Sequence, residues 1–458
     1  MNKQKAGLLT IAVFTITAVL HLLHLQNWVT IANEALVTSR WAFIVSLLVY
    51  AFYKKSLTTW ILASMVIGVA IGLDFPAFAQ NLKVVSQIFL RMIKTIIAPI
   101  LFSTLVVGIA GHSDLKQVGR MGWKSIVYFE IVTTLALAIG LIAINLSNAG
   151  AGIHIPEGFH QDIPEAKPQT WQEVILHIFP ENIIKSIYHG DVLPIVIFSV
   201  LFGIALAMLS EAKRKPLLNF SESLAETMFK FTNIIMYFAP FGVGAAMAVT
   251  VGHLGIDILA SLVKLLLTLY VALIAFILLV LLPIIFIIKI PLKNFIKAIS
   301  EPVSIAFATT SSESALPRAM ENMERFGVPR KIVSFVLPTG YTFNLDGTTL
   351  YLSLASVFVA QAAGIEMTIS QQIIMGLTLM LTSKGVAGVP RASLVILLGT
   401  VASFHLPVWP VMAILGIDEL MDMARTSVNV IGNALASCVI ARWEGEFDDE
   451  KASTFVTD

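Results

Sequence analysis

Five polar residues towards the C-terminal end of the chain recur at a spacing that places them on one face of a helix. They step by four, three, four and four positions: Asp418, Asp422, Arg425, Asn429 and Asn433. Residues three or four apart lie on the same side of an α-helix. An arginine fork grips a carboxylate through two hydrogen bonds, and a carboxylate one turn away holds an ammonium group. The stripe, with Thr426 beside it, predicts a site for a zwitterion carrying an additional acid group. The alternative is an ion pair that only stabilises helix packing.

A second polar group interrupts the apolar stretch 333–363. It comprises Asn344, Asp346, Gly347 and Thr348. A carboxylate, an amide and a glycine together indicate a helix that unwinds locally and offers oxygens to a hard cation such as sodium. A carboxylate at membrane depth costs a few kcal/mol, so a functional role is the default interpretation. The alternative is an aspartate held by a structural hydrogen bond.

Two further apolar stretches, 290–325 and 367–404, are broken midway by small and polar residues. The first break reads FATTSSESALP (307–317) and the second TSKGVAGVPR (382–391). Non-helical backbone at membrane depth is tolerated only against protein or a water-filled cavity. We therefore predict two re-entrant helical hairpins, each followed by a polar span. Such an internal repeat is typical of transporters with a midplane site. The alternative for each is a surface loop between two short helices.

The composition places these segments in a membrane. Of 458 residues, 57% are hydrophobic and 13% charged, and the mean hydropathy is +0.84, whereas soluble domains are about half apolar and a quarter charged. The 30 basic and 29 acidic residues nearly cancel, which excludes the charge signature of a nucleic-acid binder. A single cysteine, Cys438, excludes an internal disulfide. The sequence predicts an all-α polytopic membrane protein without a cofactor or metal centre.

Stretches of about 20 apolar residues predict about ten spans in addition to the two hairpins. They lie at 6–25, 41–53, 57–73, 82–111, 124–147, 191–209, 226–252, 258–288, 333–363 and 407–441. Basic residues fall in alternate loops, so the positive-inside rule places those loops and the C-terminus in the cytoplasm. The acidic residues from Glu444 to Glu450 predict a solvated tail. A cleaved signal peptide is the alternative for 6–25.

Four segments resemble the signatures of the dicarboxylate/amino acid:cation symporter family, the glutamate-transporter fold. They are FATTSSESALP, PTGYTFNLDGTTLY, SKGVAGVP and DMARTSVNVIGNALA, within a resemblance that runs from about 57 to 445. The last is most similar to bacterial glutamate/aspartate–proton symporters. The resemblance implies a homotrimer in a bacterial inner membrane whose hairpins and last two spans move as a transport unit against a scaffold.

This resemblance also implies a domain organisation. Residues 1–56 form extra N-terminal membrane helices, which the usual eight-helix pattern lacks, and 57–289 form scaffold and trimerisation helices with an external loop at 149–190. Residues 290–445 form the transport core, and 446–458 a cytoplasmic tail.

By the same resemblance, Arg425 binds the side-chain carboxylate of the substrate and Asp422 its amino group. Thr426, Asn429 and Thr348 complete the site. The hairpin tips at Ser311–Ser312 and Gly388–Val389 contribute backbone amides. The external gate lies at 382–391 and includes Gly385, Gly388, Pro390 and Arg391. Because Asp422 matches a residue that lacks the carboxylate in C4-dicarboxylate carriers, its presence favours an acidic amino acid.

The resemblance also implies which residues bind the coupling cation or proton, and their chemistry predicts which ion it is. These residues are Asp346, Asn344, Asn433, Gly340, Thr133 and Glu130. In YFEIVTT (128–134), Phe129 and Val132 replace oxygen donors expected in sodium-driven relatives, and Asn433 stands where an aspartate is typical. We therefore expect proton coupling, with Glu130 as a candidate carrier. The alternatives are a sodium-coupled amino acid or C4-dicarboxylate symporter, and a Glu130 that only bonds between helices.

Two residues depart from the family pattern at the hairpin tips. Arg391 stands where the family usually has glycine, and Glu313 follows the paired serines. Arg391 either snorkels to external water, attracts anions, or pairs with Glu313. More remote alternatives are a channel, whose pore the polar stripe would line, and an intramembrane enzyme. No G-x-S-x-G or H-E-x-x-H motif supports the enzyme.

Overall fold

The computed structural model describes residues 3–26, 28–111, 115–153, 179–189, 192–255, 257–383 and 392–455. Within these ranges the secondary structure is helical and contains no strand. The helices are α1 Lys3–Leu25, α2 Asn33–Lys54, α3 Leu57–Asp74, α4 Pro76–Asn81, α5 Lys83–Ala110, α6 Leu115–Ser147, α7 Ile183–His189, α8 Val192–Ala207, α9 Glu211–Met236, α10 Ala239–Leu254, α11 Asp257–Phe276, α12 Leu282–Ile287, α13 Leu292–Thr309, α14 Ser312–Arg325, α15 Arg330–Phe343, α16 Asp346–Ala362, α17 Ile369–Ser383, α18 Ala392–Ser403, α19 Trp409–Glu444 and α20 Asp449–Thr454. A π-helical turn, Ile277–Leu281, joins α11 to α12.

Six helices of the described chain are long and apolar enough to cross a membrane, and a seventh span forms if the bent pair α9–α10 is counted as one. Our sequence count of ten spans is higher because several predicted spans are interrupted or carry charge. The predicted span 226–252 is not one straight helix: the chain breaks between Met236 and Ala239, and the two helices meet at 51°. Pro240 in the first turn of α10 has no N–H to continue a preceding helix.

The stretch 333–363 is divided as predicted from its polar centre. Helix α15 ends at Phe343 and α16 begins at Asp346. Asn344 and Leu345 between them have non-helical backbone angles, with ψ of 73° and 64°. Backbone amides at the start of α16 and carbonyls at the end of α15 are thereby released from the helical hydrogen-bond pattern.

The first interrupted stretch forms two helices, α13 and α14, that pack against each other. Thr310, in the left-handed conformation (φ 52°), ends α13, and the hydroxyl of Ser311 caps α14 by accepting from the Ser314 amide at 3.3 Å. The second stretch forms α17 and α18, and its tip at 384–391 lies outside the described residues. That each pair re-enters the membrane stays a prediction.

Helix α19 is the central element of the C-terminal half. It is buried along almost its whole length and packs against α11, α13, α15 and α16. Helix α6 packs against α16 and also contacts α19. Because α19 has neighbours on most sides, its polar residues face protein.

The two N-terminal helices pack against each other, and α2 packs against α3. Asp74, at the end of α3, forms an ion pair with Arg40 and accepts a hydrogen bond from Trp41 Nε1 at 3.0 Å. Arg40 Nη1 also lies 3.2 Å from His21 Nε2 on α1. A polar cluster at one end of the helices therefore attaches α1 and α2 to α3.

The acidic side chains of the predicted solvated tail are partly exposed, with Asp448 at 41% and Asp449 at 67%, but residues 445–455 also pack against the rest of the chain. Ala452 and Phe455 are buried, and Asp448 caps α20 by accepting from the Lys451 amide. The carboxylates of Glu446 and Asp449 pair with Lys331 and Arg442. Three apolar side chains of this acidic segment, Phe447, Ala452 and Phe455, pack against the helical core.

Candidate substrate and cation site

The predicted stripe on α19 is entirely buried, and its charges contact one another. Arg425, with a relative exposure of 1%, donates from Nε to Asp422 Oδ1 at 3.0 Å and from Nη1 to Asp418 Oδ1 at 2.9 Å. Thr426 Oγ1 donates to the same Asp422 oxygen at 2.9 Å. The ion pair that formed the alternative interpretation is therefore present, but it leaves part of the guanidinium uncommitted.

Unused hydrogen-bonding capacity remains at this centre. Arg425 Nη2 and Asp418 Oδ2 are buried and have no hydrogen-bond partner among the described residues. Leaving such groups desolvated and unpaired costs about 1–3 kcal/mol each, and more when they are charged. A guanidinium nitrogen in this state is prepared to donate to an incoming carboxylate.

Tyr351 on α16 supports the guanidinium from the other side. The Arg425 Cζ atom lies 4.1 Å from the centroid of the Tyr351 ring, and both side chains are buried. An arginine over an aromatic face gains a cation–π attraction that is stronger when desolvated. Our sequence reasoning missed this residue, although Tyr351 lies one helical turn after Thr348.

Asn429 joins α19 to the first turn of α16. Its Oδ1 accepts from the amides of Gly347 at 2.8 Å and Thr348 at 3.3 Å, and its Nδ2 donates to Thr348 Oγ1 at 2.9 Å. A Cβ at Gly347 would lie 2.3 Å from the Arg425 carbonyl oxygen, so glycine permits this close approach. The predicted site residues Asn429, Thr348 and Arg425 therefore lie close together.

One helical turn after Asn429, Asn433 forms hydrogen bonds with Asn344, which lies in the break between α15 and α16. Its Nδ2 donates to the Asn344 carbonyl at 3.1 Å, and its Oδ1 accepts from Asn344 Nδ2 at 3.3 Å. Asn344 Nδ2 also lies 3.2 Å from Asp346 Oδ2. The buried Asn344 Oδ1 has no partner among the described residues. Carboxylate, amide and carbonyl oxygens of this kind are the ligands of hard cations.

Gly340 and the α6 residues lie beside this oxygen cluster. A Cβ at Gly340 would be 2.0 Å from Asn433 Oδ1 and 3.5 Å from the Phe129 ring. Phe129 and Val132 are buried, and Thr133 Oγ1 donates to its own helix at Phe129 O, 2.6 Å away. Apolar side chains therefore occupy α6 where sodium ligands were considered. Glu130, on the same helix, is half-buried.

The tip of the first hairpin packs close to the stripe. Ala306 and Ala315 form a small apolar cluster with Tyr341 of α15 and Val430 of α19, next to Asn429. Ser311 and Ser312 at that tip are buried, while Glu313 is exposed. The predicted residues Gly385, Gly388, Val389, Pro390 and Arg391 lie outside the described residues, and so does any pairing of Arg391 with Glu313.

The described parts of α16 and α19 bury more negative than positive charge. Four carboxylates accompany one guanidinium: Asp346, Asp418, Glu419, Asp422 and Arg425. Glu419 was absent from our sequence prediction, although it directly follows Asp418. The arrangement can accept a carboxylate at Arg425, an ammonium at Asp422, and cations or protons at the other buried carboxylates.

Comparison with known proteins agrees with this chemistry. The model of the sodium:dicarboxylate symporter family matches residues 57–443, which leaves α1 and α2 outside the match. A proton/sodium-glutamate symport protein of Bacillus caldotenax is 44% identical over 415 residues, covering 88% of this chain and 98% of that protein. A proton/glutamate-aspartate symporter of Escherichia coli (strain K12) is 44% identical over 419 residues, covering 88% and 96%. A C4-dicarboxylate transport protein of Bacillus subtilis (strain 168) is 40% identical over 404 residues, covering 87% and 96%.

The family match and these identities confirm the resemblance seen in the four sequence segments. Together with the apolar helices, they identify a multi-pass membrane transporter and not an enzyme. The chain belongs to the sodium:dicarboxylate symporter family.

Proposed function

We propose that this protein imports an acidic amino acid, glutamate or aspartate, together with protons across a bacterial inner membrane. The observation that carries the substrate class is Arg425, a buried guanidinium with an uncommitted Nη2 between two carboxylates. Nη2 binds the side-chain carboxylate of the substrate, and Asp422 binds its ammonium group. Thr426, Asn429 and Thr348 complete the site, with backbone amides from Ser311–Ser312 and Gly388–Val389.

The charges around Arg425 support cation coupling. Two buried carboxylates, Asp418 and Asp422, share the single guanidinium of Arg425, and glutamate or aspartate adds another net negative charge. Cations or protons that enter with the substrate offset this added charge. The relative from Bacillus caldotenax is named for both protons and sodium, and the relative from Escherichia coli is named for protons alone. Both names agree with an ion-coupled cycle.

Protons are favoured over sodium by the residues around Asn433. Phe129 and Val132 supply no oxygen, Thr133 bonds within α6, and Asn433 lacks a formal charge. Sodium needs several oxygens to replace its water shell. We assign Asp346, Asn344, Asn433 and Gly340 to the coupling region and Glu130 as a candidate proton carrier.

The alternative substrate is a C4-dicarboxylate, which the relative from Bacillus subtilis favours by its name. Such a substrate has no ammonium group, so it would leave Asp422 without its counterpart and place two carboxylates near it. This electrostatic mismatch supports the amino acid.

We propose an elevator-type transport cycle for this chain. Helices α13 to α19 form the transport core, which moves as an elevator against a scaffold formed by other helices within 57–289, in a homotrimer. The gate lies at 382–391 and the C-terminus in the cytoplasm. The contacts of α13, α15 and α16 with α19 support a core that moves as one body.

Uptake of labelled aspartate into proteoliposomes tests the proposal. Proton and sodium gradients are imposed separately, and unlabelled glutamate, aspartate and succinate compete. Uptake driven by the proton gradient and inhibited mainly by the amino acids is expected. Uptake that needs sodium and ignores the pH gradient contradicts proton coupling, whereas stronger competition by succinate favours the dicarboxylate alternative. The absence of substrate counterflow would indicate a channel.

A further inference from the structure

The chain after α19 turns back and packs against the base of the first hairpin. Gly445 (φ 73°) ends α19 in the left-handed conformation, and residues 446–455 then run along the ends of α13 and α14. We call residues 445–455 the terminal clasp. It lies at the opposite end of the hairpin from the tip that carries Ser311 and Ser312.

An aromatic cluster joins the clasp to both arms of the hairpin. The fully buried ring of Phe326 lies 6.0 Å from Phe295, 6.0 Å from Phe447 and 5.8 Å from Phe455, measured between centroids. Aromatic pairs at these separations gain stability beyond the area they bury. One ring of the hairpin thus contacts two rings of the clasp.

Hydrogen bonds fix the register of this contact. Asn294 Nδ2 of α13 donates to the carbonyls of Ala452 at 2.9 Å and Ser453 at 2.8 Å. The Asp448 amide donates to Gly327 O at 3.0 Å, just after α14. Gly327 has φ 107°, and a Cβ there would lie 2.4 Å from the Asp448 carbonyl oxygen. The two arms are also joined by Asn322, whose Nδ2 donates to Ala298 O at 2.8 Å.

Arg442 connects the clasp to α19 and to the segment before the hairpin. It donates from Nε to Ile288 O at 3.0 Å and pairs with Asp449 through both terminal nitrogens. Its Cζ atom lies 4.4 Å from the centroid of Phe447. The Arg442 side chain therefore contacts both the segment that precedes the first hairpin and the clasp.

We propose that the terminal clasp is a positioning element that holds the first hairpin closed against α19, so that the Ser311–Ser312 tip stays at the substrate site. The hairpin is fixed at its tip by Ala306 and Ala315 against Tyr341 and Val430, and at its base by the clasp. Loss of the base contacts lets the arms separate and withdraws the tip. The role of the tip in binding rests on the proposed function, whereas closure of the hairpin does not.

The experiment measures closure and transport separately. Ala315 is fully buried near the tip, eleven residues and so roughly 16 Å of helix from Phe326, so that removal of the clasp does not uncover it directly. In a Cys438→Ala background, an Ala315→Cys variant is reacted with a maleimide. Phe455→Ala, Asn294→Ala and a chain truncated after Gly445 are compared with the parent. Glu450→Gln, at an exposed position of α20, is the matched control.

Weakening the clasp is expected to accelerate labelling roughly tenfold, as local opening becomes more frequent, and to raise the KM for aspartate with little change in kcat. Glu450→Gln should behave like the parent. Parental labelling rates and KM in both Phe455→Ala and Asn294→Ala overturn the proposal, whether or not the truncated chain folds. If no acidic amino acid is transported by the parent, the proposed function fails, and the labelling rates still decide whether the clasp closes the hairpin.

Discussion

Asn433 and Asn344 are joined by two hydrogen bonds, one from each side-chain amide, across the break between α15 and α16. The pair holds the unwound backbone against α19 without using a formal charge. Asp346 lies within hydrogen-bond distance of the same Asn344 amide. The geometry of the proposed cation region therefore depends on an uncharged residue at 433.

Replacement of that residue by a carboxylate is expected to introduce sodium dependence. Asn433→Asp keeps an oxygen for Asn344 Nδ2 and adds a negative charge close to Asp346, which should raise sodium affinity by roughly tenfold or more. Sodium titration of aspartate binding measures the effect. Asn433→Ser, which adds no charge, serves as the control. Equal sodium responses in the two variants would show that charge at 433 does not set ion selectivity.

The fork of Arg425 is expected to be essential for affinity. Arg425→Lys keeps the positive charge but loses the planar donor set, so aspartate affinity should fall roughly 10- to 100-fold, equivalent to about 1.5–3 kcal/mol. Isothermal titration checks this. Arg318→Lys is the control, because Arg318 pairs with Glu301 and Glu321 at the surface, where such pairs contribute little. Comparable losses in both variants would contradict a binding role for Arg425.

Asp422 and Asp418 both contact Arg425 but are expected to differ in selectivity. Asp422→Asn removes the proposed partner of the substrate ammonium, so inhibition by aspartate should weaken more than inhibition by succinate. Asp418→Asn disturbs only the guanidinium, and both competitors should be affected alike. Competition curves for the two variants provide the measurement. If both variants showed the same change in selectivity, Asp422 would not be the residue that binds the substrate ammonium.

Close packing at Gly432 predicts a defined loss of stability. A Cβ there would lie 2.2 Å from Asp346 Oδ2, so Gly432→Ala must displace the buried carboxylate and should destabilise the protein by about 1–3 kcal/mol. Thermal unfolding in detergent measures it. Gly122→Ala on α6 is the control, since its Cβ would meet only the Phe335 ring at an ordinary 3.7 Å. Equal midpoints for both variants would refute the close approach.

The clasp is expected to weaken in acid. Hydrogen bonds from Arg442 hold the pKa of Asp449 below its ordinary value. A carboxylate whose pKa is lowered on folding contributes stability above its unfolded value, about 3.9, and loses that contribution as pH falls through the folded value. The thermal unfolding midpoint of the parent in detergent should therefore exceed that of Asp449→Asn near neutrality, and this difference should shrink below about pH 4. A difference that stays constant over that range would assign the loss of stability in acid to another group.

Polar residues within apolar stretches were the most informative part of the sequence. Asn344 and Asp346 marked the break between α15 and α16, and the spacing of Asp422, Arg425 and Asn429 marked the buried stripe. Both signals work because buried polar groups in a membrane must be satisfied by particular neighbours.

Features that depend on apolar geometry were not predicted. The bend between Met236 and Ala239 is invisible to a count of apolar residues, since a bent and a straight helix pair bury similar side chains. In the terminal clasp, the acidic residues outnumber the three apolar side chains that make the contact. The position of Tyr351 under Arg425 follows from tertiary packing of α16 on α19.

Asp418, Asp422 and Arg425 together carry one net negative charge when all three are ionised. Each elementary charge that crosses a bilayer changes the free energy of that step by about 2.3 kcal/mol per 100 mV. In the proposed cycle a bound acidic amino acid would add one negative charge to this triad, and each proton carried with it would cancel one. The number of protons per substrate would then set how strongly the transport rate depends on the membrane potential.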